Sequence, residues 1–134
     1  MKTLFKSILS VLVILAVTSV NAQQSANLLK VNEFVQTLYA NCPEYQNNDQ
    51  ILKATDLLER TIIHSVALGE YPECPLLSTV GKKNKCNPDL DYSLLSFEPN
   101  NFNPLIYQFK YFDTASYYYR VDGKDFIIEI KPKN

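Results

Sequence analysis

The chain has 134 residues, 13 Lys+Arg against 14 Asp+Glu and a formal charge of -1 at pH 7. That size bounds it to one small domain, and the near-neutral balance excludes the broad basic field of a nucleic-acid binder. A hydrophobic content of 46% argues against wholesale disorder, and 3 Gly with 7 Pro exclude collagen-like or linker-like architectures.

Lys2 and Lys6 precede an apolar run over residues 8–17 (ILSVLVILAV), and Val20-Asn21-Ala22 places short side chains where a signal peptidase reads them. The run is too short to span a bilayer, which takes roughly 20 apolar residues. Residues 1–22 are therefore expected to be a secretory signal peptide, leaving 23–134 as one small α+β domain, secreted or periplasmic. No later run approaches spanning length, so no membrane span is expected after cleavage.

Two amphipathic helices are expected first. Over about 26–40, Leu28, Val31, Phe34, Val35, Leu38 and Tyr39 recur at helical spacing, with Ser25 as an N-cap and Pro43 beyond the end. Over about 50–68, Ile51, Ala54, Leu58, Ile62 and Val66 form a second stripe. Asn47 with Gln50 resembles the start of a capping box, Asp56 and Arg60 stand one turn apart, and Gly69 suits the position after a helix end.

Cys42, Cys74 and Cys86 all follow the cleavage site, so an oxidising compartment allows one internal bridge. Cys74 and Cys86 bracket PLLSTVGKKNK, within a loop over 69–90 that lacks regular pattern. A Cys42–Cys74 bridge is disfavoured, because a helix over 50–68 would separate its ends by about 28 Å and a bridge needs Cα atoms within about 7 Å. Cys42–Cys86 stays open. The reading favours Cys74–Cys86, with Cys42 unpaired or joining two copies as a dimer.

From about 92 to 131 an antiparallel meander of three to four strands is expected, rich in Tyr and Phe. Asp122-Gly123 reads as a two-residue type I′ turn that sets Tyr119 opposite Phe126 and Tyr117 opposite Ile128. One face then carries Tyr117, Tyr119, Phe126, Ile128 and Ile130, and the other Ser116, Tyr118, Arg120, Ile127 and Glu129. Residues 105–112 (LIYQFKYF) alternate as a preceding strand, whose Phe109 would meet Tyr119 across an odd-length loop. Residues 93–97 are a weaker fourth candidate. Helices first and sheet second make a two-layer α+β fold.

Chemistry is sparse. One histidine, His64, supplies no triad, and its neighbour Ser65 would point about 100° away on a helix. A Cys42–His64 thiol pair would need a reduced thiol, against the compartment. The cysteines lack zinc-ligand spacing, Asp89 and Asp91 suit a turn better than calcium, and no glycine loop cradles a phosphate. No cofactor is expected. Glu70 and Asp89 are the carboxylates a hydrolase would have to use.

Two surfaces suggest binding: Lys82, Lys83 and Lys85 as a basic point on an acidic molecule, and Phe112, Tyr118 and Ile127 as an exposed apolar strip. The order of helix, Cys-closed loop and terminal meander, with GEYP before the loop and YYYRVDG in the hairpin, resembles the globular part of type IV pilin-like subunits. Those subunits keep a long hydrophobic N-terminal helix where this chain has a cleavage site at Ala22, so their assembly function is not carried over. A cystatin-like inhibitor has the same layer order. The expectation is a secreted, non-catalytic binding or envelope/extracellular assembly module, whose partner is a protein or other extracellular macromolecule. The alternatives are an inhibitor or toxin presenting the 74–86 loop, and a carboxylate-dependent hydrolase.

Overall fold

The computed structural model describes residues 27–67, 69–83, 85–90, 93–110 and 114–133. The expected signal peptide and the Ser25 cap lie outside them. Helix α1 covers 27–38 and turns Val31, Phe34, Val35 and Leu38 of the expected stripe into the core, while Leu28 at its start is 53% exposed and Tyr39 lies half-buried just past its end. Helix α2 is Asn48–Arg60, and its Gln50 N–H donates to the Asn47 side chain at 3.1 Å. Satisfying that otherwise unpaired amide is what starts the helix here.

The second helix ends at Arg60, well short of the expected 68, and the chain continues directly as strand β1, Thr61–Ser65. Thr61-Ile62-Ile63 are all β-branched, so they resist a helix and suit a pleated surface. The junction is pinned by Arg60, whose Nε donates to Lys131 O at 2.8 Å while its Nη1 meets Asp56 Oδ2 at 3.2 Å. Asp56 and Arg60, one turn apart, therefore do pair, and Arg60 is buried.

Strands β2 (Tyr117–Arg120) and β3 (Phe126–Ile130) complete a three-stranded antiparallel sheet in the order β1-β3-β2. Tyr119 pairs with Ile128 and Tyr117 with Ile130, a shift of two residues from the type I′ register. Val121 N–H donates to Phe126 O at 3.1 Å and Lys124 N–H to Val121 O at 3.2 Å, so the loop is 122–125. A type I′ turn needs positive φ at both central residues, and only Gly123 has it, at 64°. Asp122 is held from outside the hairpin by Ser78, whose N–H donates to its carboxylate at 3.0 Å. Because the shift is even, both faces keep their expected residues.

Residues 105–112 do not form the expected strand. Pro104–Ile106 is a 3-10 turn, Tyr107 makes an isolated bridge to Lys82, and 111–113 lie outside the described residues. Leu105, Tyr107 and Phe109 are nevertheless buried together, with Phe109 and Tyr119 ring centroids 4.9 Å apart. The alternation reported burial correctly, but the edge of β2 where this strand was expected is met by Pro75 and Leu76, and the third strand of the sheet is β1 on the far side of β3. Residues 94–96 of the weaker candidate also form a 3-10 turn. The inner sheet face joins both helices in one core, at whose centre Ile128 and Ile130 are 0% exposed. Each such burial contributes about 1.5–3 kcal/mol.

The disulfide joins Cys42 to Cys86, not Cys74 to Cys86, with Cα atoms 5.4 Å apart, and Cys74 is the free cysteine. Cys42 is therefore not available to join two copies. The reason lies in what holds each segment. Arg120 N–H donates to Pro75 O at 2.9 Å and Arg120 Nε to Cys74 O at 3.1 Å, drawing Cys74 to the edge of β2. Asn41 N–H donates to Cys86 O at 2.9 Å, which places Cys86 at the end of α1.

Candidate functional site: a lysine-lined cleft

Lys82, Lys83 and Lys85 converge, with Leu38, Tyr39, Cys86 and Gln108, on a cleft of about 330 Å³. The loop that carries them is clamped on two sides. Lys83 N–H donates to Ile106 O at 2.7 Å and Gln108 N–H to Gly81 O at 2.8 Å. On the other side the disulfide and a bond from Asn87 Nδ2 to Thr37 O, 2.7 Å, fasten the loop to α1. The absence of a side chain at Gly81 matters here, since a Cβ would stand 3.0 Å from Gln108 Oε1.

The cleft's described lining includes no carboxylate. Burial pushes the Lys83 amine below its ordinary range, the direction expected when an ammonium loses hydration. The three lysines of the sequence reading thus share one site, walled by Leu38 and Tyr39.

The apolar strip does not survive in the form expected. Ile127 is 2% exposed, because β3 is central and its cross-strand neighbours His64 and Arg120 flank it on the same face. Tyr118 is 42% exposed, and Phe112 lies outside the described residues. The outer face carries a polar network instead. His64 Nε2 and Glu129 Oε2 lie 2.8 Å apart, the Ser116 hydroxyl donates to Glu129 Oε1 at 3.0 Å, and the Tyr118 hydroxyl to the same oxygen at 3.4 Å. The hydrogen bond with His64 holds the Glu129 carboxyl below its usual range, opposed by burial and aided by Ser116. Ser116 donates to the carboxylate rather than to the imidazole, so the group lacks the nucleophile-to-base link of acyl transfer. Sequence reasoning missed this network because it placed His64 on a helix, where no register with Glu129 exists.

The remaining candidates are dispersed. Glu70 accepts the Ala67 N–H at 3.1 Å within its own turn, and no hydrogen bond or ion pair joins it to Asp89. Cys42 is in the disulfide, which removes it from any thiol pair with His64. At Cys74, burial first and Glu73 next push the thiol up, with Arg120 opposing. Among the described residues no three His, Cys, Asp or Glu side chains gather as a metal site, and no helix is long and apolar enough to cross a membrane.

No family model matches the chain, and neither a curated protein nor a solved structure does.

Proposed function

We propose that this protein is a small secreted binding module, non-catalytic, whose lysine-lined cleft receives an acidic group of a macromolecular partner in an extracellular or envelope assembly. The observation that carries the reading is the convergence of Lys82, Lys83 and Lys85 on one braced cleft whose described lining holds no carboxylate. An anion placed there would recover favourable Coulomb energy for the Lys83 ammonium, which burial partly strips of water. The disulfide accords with an oxidising compartment outside the cytoplasm.

The test is fluorescence anisotropy with a labelled hexaglutamate peptide at low salt. Wild type should bind saturably, and a Lys82→Ser, Lys83→Ser, Lys85→Ser variant should bind roughly 3- to 150-fold more weakly, from three pairs at about 0.2–1 kcal/mol each. Equal binding by a triple variant with unchanged circular dichroism would end the proposal.

A further inference from the structure

A second surface, independent of the lysine cleft, is written in the hydrogen-bond parity of β1. Lys131 N–H donates to Arg60 O at 2.8 Å and Val66 N–H to Asp125 O at 3.0 Å. The even-numbered residues of β1 therefore turn their backbone groups toward β3, and Thr61, Ile63 and Ser65 turn theirs to the open edge. The Thr61 N–H is used by Leu58 O at the end of α2. Among the described residues, the Thr61 carbonyl and both backbone groups of Ile63 and Ser65 have no hydrogen-bond partner. The opposite edge of the sheet is treated differently: Pro75 accepts from Arg120, and Leu76 bridges it. β1 carries no Pro, Lys or bulge, the usual means by which an edge is protected.

Beside this edge lies a cleft of about 600 Å³ between the two helices and the 99–104 segment. Its floor includes Val31, Leu58, Phe102 and Ile63, and Thr61 lies at the same wall. Thr61 and Ile63 share the inner face of the sheet, so a strand added to β1 would direct its inner-face side chains into this cleft. Charge specifies the occupant further. Lys30 on the rim donates to the Asn100 carbonyl and stands 5.5 Å from the Phe34 ring centroid, whereas the Glu59 side chain on the rim has no hydrogen bond or ion pair among the described residues.

We infer that β1 receives an extended segment of a partner protein as an added antiparallel strand, with an apolar residue opposite Ile63 and a basic residue opposite Thr61, beside Glu59. Antiparallel register fixes the order as apolar-x-basic in the partner. Ile63 exchanges two backbone bonds with the apolar residue, Thr61 accepts one, and Ser65 pairs at the far end. The strand supplies affinity through its backbone, and the cleft with Glu59 supplies the choice of side chains.

The probe is a blocked heptapeptide, TTLTKTT, followed by NMR-detected amide exchange and chemical shifts. Saturable binding with slowed exchange at Ile63 and Ser65 is expected. Ser65→Pro removes only an outward N–H, leaves the ladder to β3 intact and should weaken binding by about tenfold or more. The same loss is expected, with wild-type protein, when the leucine of the peptide is N-methylated, which tests the bond without altering the fold. Glu59→Gln should weaken TTLTKTT several-fold and leave TTLTTTT unchanged. Unaltered exchange at Ile63 and Ser65 with millimolar peptide, or equal binding of the N-methylated peptide, overturns the inference. A dimer that forms without peptide and is abolished by Ser65→Pro would also overturn it, because the edge would then belong to a second copy of the chain.

Discussion

Replacing Cys42 and Cys86 together with Ser should cost this protein a large part of its stability. The bridge closes a sequence separation of 44 residues, for which the chain-entropy relation gives about 4 kcal/mol at 25 °C. A domain of this size has in total about 5–15 kcal/mol, so the loss would lower Tm by on the order of 20 °C. Cys74→Ser removes only a half-buried thiol with no bridge, and should change stability by less than about 1 kcal/mol. Urea unfolding followed by far-UV circular dichroism on the wild type, the double variant and Cys74→Ser measures both. Alkylation before reduction should tag one thiol, located at Cys74 by peptide mapping. If Cys74→Ser were the destabilised protein and Cys42 the tagged thiol, the reasoning that assigns Cys86 to the end of α1 would be refuted. The double variant should also loosen the lysine cleft, since the Asn41–Cys86 and Asn87–Thr37 bonds would then hold the loop to α1 unaided.

Glu129 has a folded-state pKa held below its ordinary 4.5, so the unfolded chain takes up its proton first as pH falls. Its contribution is present above about 4.5 and is lost as pH drops through the lower folded value; Glu129→Gln should flatten this part of a pH series of urea midpoints, and an unchanged slope would refute the assignment. Ile127→Ala should cost about 2–5 kcal/mol in thermal unfolding, as for a buried aliphatic residue. A loss near zero would show that Ile127 is exposed after all.

How much was legible depended on the range of the interaction involved. The α1 stripe and the Asn47 cap are local, and both appear where spacing and side-chain chemistry put them. The two faces of the hairpin were legible too, although its register was not. Alternation fixes which side a residue faces, whereas the pairing depends on the loop, and the loop is held by Ser78, remote in sequence. Of the candidate binding residues, the lysines were found by charge clustering. The His64–Glu129 pair and the β1 edge had no readable signal without a register.

The amino-acid sequence alone determined the α+β class, the helical stripe of α1, the inward set Tyr119, Ile128 and Ile130, and the burial of Leu105, Tyr107 and Phe109. Each follows from a periodicity or a cap spanning a few neighbours. Only the tertiary structure decided that Thr61–Ser65 is a strand lying beside β3, that 105–112 does not join the sheet beside β2, that Cys42 meets Cys86, and that Ile127 is covered. The run Thr61-Ile62-Ile63-His64-Ser65-Val66 fits a helical stripe through Ile62 and Val66 and fits a strand through its β-branched residues. Local preference between these differs by no more than about 1 kcal/mol per residue. Pairing with β3 and burial of Ile128 outweigh that difference, and both depend on residues more than sixty positions away in the chain.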